Sequence, residues 1–272
     1  MRTCEYIIWL LGKKAKLGKG GVNMLVDSFI LSGDVLEVMQ FNALENKDGC
    51  KMCRGGKINK SSEKQIVRNL THSRRHYARL VNANFAGCGI SVGLDYDNEF
   101  LPLTFEDGIK QVQLYIDRLR KYLKRRHQPK LKYIAVTEQM SSESNRLHHH
   151  LVISRVPYDV IKSLWKLGGV AFEEMDRNKD YIDLSNYITK EKNKERKFKK
   201  KWMQSKNLDK PSFDLRPAKR AGEVKLPRGF KELERELIAT EYGATLYIRA
   251  IRAHREKKSE KYLRRSKGGG SC

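Results

Sequence analysis

No stretch of this chain is apolar for long enough to span a bilayer. The run Tyr6-Ile7-Ile8-Trp9-Leu10-Leu11 is too short, lacks a small-residue cleavage site, and has its Lys13-Lys14 pair after the apolar residues instead of before them. It reads as a buried strand, not a targeting segment, so no membrane role is expected. Cysteine is sparse and odd in number, five in 272 residues, which argues against a disulfide framework and for a cytoplasmic setting. Acidic residues are outnumbered, 32 against 56 Lys and Arg, and the formal charge is +24. A surface that basic attracts polyanions, of which nucleic acid is the commonest. The charge is spread along the whole chain, unlike that of an amphipathic membrane binder. Gly12 to Gly20 (GKKAKLGKG) has the wrong gap for a Walker A motif and no Ser or Thr after the lysine, which excludes that nucleotide site.

What the chain does have is Leu147-His148-His149-His150-Leu151-Val152-Ile153-Ser154. Three histidines followed by aliphatic and β-branched residues predict a short strand. Side chains alternate along a strand, so His148 and His150 share a face and His149 takes the other. Two imidazoles on one rigid face can reach a single metal ion. The competing reading is a solvated polar strand, or three histidines with separate structural duties.

Around this stretch the pattern alternates between strand and helix. Phe100 to Phe105 is expected as a strand with an irregular start at Pro102. Asp107 to His127 is a helix, with Ile109, Val112, Ile116, Leu119 and Leu123 at steps of three and four. Arg125 and Arg126 belong to a basic cluster in its second half that suits the negative end of the dipole and could touch phosphate. Tyr133 to Glu138 is a strand expected to form an antiparallel hairpin with the histidine strand, which brings Glu138 to the end of His148. Two imidazoles and a carboxylate make a three-ligand site with open positions; Gln139 and Glu143 are fallback ligands. Residues 157–167 form a helix with Pro157 at its start, and Gly169 to Glu174 a further strand. This order predicts an α+β fold, a central antiparallel sheet with helices covering one face.

Tyr181 to Lys190 (YIDLSNYITK) reads as a helix on which Tyr187 and Lys190 share a face. Taken alone, a Tyr-x-x-Lys pair occurs often by chance, and helical tyrosines usually pack.

The combination resembles the HUH endonuclease superfamily, and within it the rolling-circle replication initiators of phages and plasmids. Leu101-Pro102-Leu103-Thr104-Phe105 is similar to that family's first motif, His148-His149-His150 to its second, and Tyr187 with Lys190 to its third. The middle position of the second motif is usually a bulky apolar residue and here is His149; only His148 and His150 form a same-face pair. The likeness covers about residues 98–195, taken as the endonuclease domain between an N-terminal region, 1–97, and a basic extension, 196–272. It implies a divalent cation, Mg²⁺ or Mn²⁺, on His148, His150 and Glu138. It implies Tyr187 as a nucleophile that leaves a 5′-phosphotyrosine link and a free 3′-hydroxyl, and Lys190 as its electrostatic support. It also implies single-stranded DNA at a replication origin as substrate, a host helicase and polymerase as partners, and the cytoplasm of a bacterial host as the setting. Tyr181 lies about 120° from Tyr187 around a helix axis, so a single nucleophile is expected.

The flanks are less specific. Residues 22–42 read as a hairpin turning at Ser32-Gly33-Asp34. Cys50 and Cys53 form a Cys-x-x-Cys that, with His72 and His76 on a basic helix from Gln65 to Leu80, could hold a structural Zn²⁺; the alternative is a loop with two free thiols. Residues 54–64 look like a linker. In the tail, Lys199, Lys200, Lys201 and Trp202 join basic groups to an aromatic, a pairing that suits single-stranded DNA; a solvated charged tail is the alternative. Residues 228–254 are expected as one or two helices, making the C-terminal region basic and helical. Three other readings remain open. A relaxase or single-strand transposase would share the chemistry. A non-enzymatic nucleic-acid binder would leave the triad accidental. A two-histidine-one-carboxylate iron oxygenase would explain the ligands but not the charge.

Overall fold

The computed structural model describes residues 23–44, 62–139, 146–188, 202–240 and 243–254. The elements run β1 (Asn23–Ser32), β2 (Val35–Leu44), α1 (Glu63–Asn84), β3 (Gly89–Leu94), α2 (Phe105–Arg125), β4 (Tyr133–Gln139), β5 (Leu147–Ser154), α3 (Tyr158–Leu164), β6 (Val170–Glu174), α4 (Ile182–Ile188), β7 (Met203–Gln204), β8 (Ser212–Pro217), β9 (Phe230–Thr240) and β10 (Gly243–Arg252). The fold is α+β, with two five-stranded antiparallel sheets in the orders β6-β3-β5-β4-β7 and β8-β1-β2-β10-β9.

The first sheet carries the histidine strand at its centre. β5 pairs with β3 on one side and β4 on the other. Ile90, Val92, Leu94, Ala135, Leu151 and Ile153 project from one face and pack on Val112, Ile116 and Leu119 of α2 and Ile161 of α3. Each such side chain, fully buried, stabilises the fold by about 1.5–3 kcal/mol. Ile134, Val136 and Val152 project from the other face and meet Tyr77, Leu80, Val81 and Phe85 of α1, and Tyr181 and Leu184 at α4. Helices therefore cover both faces, not one as expected from the sequence. The alternation of the central strands already shows why: both parities of β4 and β5 are apolar, the mark of a sheet buried on two sides.

The strand expected at Phe100 to Phe105 does not form. Asn98–Phe100 is a 3-10 turn, and Thr104 caps α2, its Oγ1 accepting from Asp107 N at 3.1 Å. Pro102 has no N–H to offer a ladder, and the place beside β5 goes to Gly89–Leu94, ahead of residue 98. Its two glycines weaken the strand signal. α2 approaches β5 closely: a Cβ on Gly108 would stand 2.9 Å from Leu147 Cδ1.

The C-terminal region is the larger correction. Residues 230–252 are two long strands, not helices. Phe230–Thr240 is rich in Glu, Leu and Lys, good helix formers, but pairing along its length with β10 overrides that weak preference. In β10 the decisive pattern has period two: Ala244, Leu246 and Ile248 pack with Leu36 and Val38 of β2. The N-terminal hairpin forms as expected, with Ser32 opposite Val35. Its turn glycine, Gly33, has φ +61°, and a Cβ there would lie 2.3 Å from the Asn82 carbonyl oxygen of α1.

That contact joins the two sheets through α1. Arg79 donates to both Glu37 carboxylate oxygens at 2.7 Å. Tyr247 Oη donates to Glu37 Oε2 at 2.9 Å, and the Arg75 guanidinium lies 3.9 Å from the Tyr247 ring centroid. α1 thus presents aromatic and aliphatic residues to the histidine sheet and arginines to the second sheet. No helix among the described residues is long and apolar enough to cross a membrane.

Candidate metal centre and the helix beside it

Register builds the site. Glu138 pairs directly with His148, and Val136 with His150, so the carboxylate and both imidazoles emerge on one face at one end of the sheet. Glu138 Oε2 lies 3.3 Å from His148 Nε2 and 3.6 Å from His150 Nε2. The two rings stand edge to face with centroids 4.7 Å apart. One ligand atom from each of the three residues falls within 4.8 Å of the others. A first-row divalent ion with bonds of about 2.1 Å sets neighbouring ligands roughly 3.0–3.4 Å apart. The observed spacing is close to that, and the nitrogen and oxygen donor set fits such an ion. Glu138 is 6% exposed and the histidines half-buried, which leaves the outer side open to a ligand.

Burial alone would push the Glu138 carboxyl up. Hydrogen bonds and charge from His148 and His150 outweigh it and hold the group at about 2. It is an ionised ligand at any physiological pH. Gly93 lies opposite His150 on β3, so no side chain stands beside that imidazole from this strand.

His149 points into the opposite core, fully buried. Its Nε2 lies 2.7 Å from Tyr96 Oη and its Nδ1 2.9 Å from Thr137 Oγ1. Burial, then the neighbouring imidazoles, push it down to about 3, so it is neutral. The unusual middle histidine is a satisfied core residue, and the outer two are the exposed pair.

α4 covers the face from which the triad projects. Tyr181 and Leu184 seat its first turn against Val136 and Val152, and Tyr187 occupies its last turn. The start of the helix is held by polar contacts that the sequence did not announce. Ile182 N donates to Asp180 Oδ1 at 3.2 Å, Asn82 Nδ2 donates to the same oxygen at 3.1 Å, and Tyr181 N donates to Asn82 Oδ1 at 3.2 Å. Arg249, from the second sheet, pairs with Asp180 at 2.9 Å. An Asp just ahead of a helix is a recognisable cap. Arg249 was hidden inside a segment read as helix.

Tyr181 is not poised for chemistry. Its hydroxyl donates to the Asp176 carbonyl at 2.8 Å, and burial pushes it up to about 12. Arg125 and Arg126 end α2 on the far face from the triad, and Arg126 stacks over Tyr122. Trp202 packs edge-on against Tyr77, its indole nitrogen donating to Gln204 Oε1 at 2.7 Å. His72 and His76 are exposed on α1. Cys50, Cys53, Glu143, Lys190, Lys199, Lys200 and Lys201 lie outside the described residues.

Residues 92–192 match the model of a family of replication-associated proteins of the ORF2 type. The matched segment, less than half of the chain, contains the triad and α4. It ties this part of the protein to replication and so to DNA. No curated protein and no solved structure matches the chain.

Proposed function

We propose that the protein initiates rolling-circle replication by nicking and rejoining single-stranded origin DNA. The observation that carries this reading is the convergence of Glu138, His148 and His150 beneath the helix that bears Tyr187, within the replication-associated segment. A phosphodiester is anionic and resists nucleophiles. A Mg²⁺ or Mn²⁺ ion on the triad would supply Lewis-acid polarisation of a non-bridging oxygen. Glu138 supplies a fixed negative charge that favours the cation, and the two strands hold the imidazoles without reorganisation.

Tyr187 attacks phosphorus through its hydroxyl. The P–O3′ bond breaks, the 3′-oxygen leaves and takes a proton, and the 5′ side remains on the tyrosine. A phenol, of pKa near ~10, is itself a good leaving group, so a 3′-hydroxyl can reverse the step and rejoin the strand. Lys190, one turn further, stabilises the phenolate charge. The released 3′-hydroxyl primes a host polymerase, and a host helicase opens the duplex. The net charge of +24 favours binding to the strand.

The test is a denaturing-gel assay for a covalent adduct on labelled single-stranded oligonucleotides of random sequence with Mn²⁺ or Mg²⁺. Wild type and Tyr181→Phe should form the adduct; Tyr187→Phe and His148→Ala should not. An adduct that survives Tyr187→Phe ends this reading.

A further inference from the structure

An open cleft of about 270 Å³ lies between α1, α4 and strands β9 and β10. It borders the helix of Tyr187 but is separate from the triad. We propose that this cleft binds one nucleobase of the single strand, of the kind that carries an exocyclic amino group, beside the phosphodiester to be broken. This rests on the reading of Tyr187 as the nucleophile.

Three features of the walls point to a base. Asp183 and Asn186 line the cleft one turn apart on α4. No hydrogen bond or ion pair is made by either side chain among the described residues. Asp183 only accepts, and Asn186 both donates and accepts. Together they match an edge that offers an amino donor beside a ring acceptor, as cytosine does. Thymine has no amino group and would set two carbonyl oxygens near a carboxylate.

The opposite wall supplies a flat cation. The Arg75 guanidinium covers Tyr247, and its other side is the surface on which a base can stack. Arg249 lies deeper, engaged by Asp180 and Glu234 at 2.9 and 3.1 Å. It keeps the cleft from being a purely acidic pocket without leaving a bare cation for phosphate. The mixed charge argues against an inorganic anion as the occupant.

The position argues for the same strand that meets Tyr187. Asp183 and Tyr187 are four residues apart, about 6 Å along a helix axis. That is close to the spacing of one nucleotide in an extended strand. A base held by Asp183 would therefore flank the reacting phosphate and set which sequence is cut.

Fluorescence anisotropy with the full chain, in EDTA, tests this on labelled ~20-nucleotide strands of dC and of dT. Wild type should bind the dC strand about tenfold more tightly, the discrimination of one good base contact. Asp183→Ala should bring the two within about twofold, and Asp183→Glu should keep part of the preference. Asp183 is exposed, so the truncation should not unfold the chain, which circular dichroism checks. Equal binding of both strands by wild type, or an unchanged preference in Asp183→Ala, overturns the proposal. Neither metal nor cleavage enters this assay. Loss of the preference with an intact Tyr187 adduct would remove the cleft proposal alone. A preference without any adduct would keep the base site and remove the cleavage reading.

Discussion

Tyr96 Oη lies 2.7 Å from His149 Nε2, on the face of the sheet turned away from Glu138. The pair is buried. Removing one partner leaves the other unsatisfied, at about 1–3 kcal/mol. Tyr96→Phe and His149→Leu should each lower stability in a denaturant titration by an amount of that order. The double variant should cost less than the sum, because both polar groups go together. Neither change should weaken Mn²⁺ binding measured by calorimetry. A lost metal affinity in Tyr96→Phe would mean that the middle histidine works with the outer two.

The triad makes a second prediction. A metal that binds only the folded chain stabilises it by about 2.7 kcal/mol at a hundredfold excess over its dissociation constant. Mn²⁺ should raise the melting temperature of wild type, and EDTA should reverse the gain. His148→Ala, His150→Ala and Glu138→Ala should each abolish it. Lys190→Ala and Tyr187→Phe should keep it, since neither is a proposed ligand. A melting temperature indifferent to Mn²⁺ and Mg²⁺ would refute the metal centre.

How much of this was legible depends on how local each signal is. The alternation of Leu147 to Ser154 fixes which histidines face together, and the hairpin with β4 brings Glu138 opposite His148; both follow from period two alone. α2 announces itself by its apolar spacing. Long-range pairing left weaker traces. Gly89 to Leu94 holds a central strand place with two glycines, and Phe230 to Thr240 spells a helix until β10 lies beside it. The brace of α4 was illegible for the same reason: Asp180 and Arg249 are 69 positions apart, and their encounter depends on β10 being a strand.

That brace yields a third prediction. Arg249 and Asp180 are 18% and 8% exposed in their side chains. Burial, only partly offset by Arg249, raises the Asp180 carboxyl above its ordinary value. Arg249→Met leaves a buried carboxylate without its cation, at a cost of about 3–5 kcal/mol. Adding Asp180→Asn should recover most of that loss. The sign with pH follows from the raised value: ionising Asp180 costs stability in the folded state. The defect of Arg249→Met should be full near neutrality and shrink as pH falls through the raised Asp180 pKa. Denaturant titrations at stepped pH measure it. The same variant should slow adduct formation while leaving Mn²⁺ affinity unchanged, because the damage is to the seat of α4.

Gly33 offers a fourth. At φ +61° an alanine carries a backbone penalty of about 1–2 kcal/mol. Its Cβ would also stand 2.3 Å from the Asn82 carbonyl oxygen, which is backbone in α1 and cannot swing aside. Gly229 provides the control, with φ +89° and nothing within 4 Å of an added Cβ. Gly229→Ala should show the backbone term alone, and Gly33→Ala that term plus the displacement of the turn from α1. Asn82 also binds Tyr181 N and Asp180 through its side chain. A turn pushed off this segment should therefore disturb α4 as well as the joint between the sheets. The check is the pair of denaturation midpoints together with the adduct rate. Equal stability loss in the two variants would mean that the hairpin turn does not bear on α1.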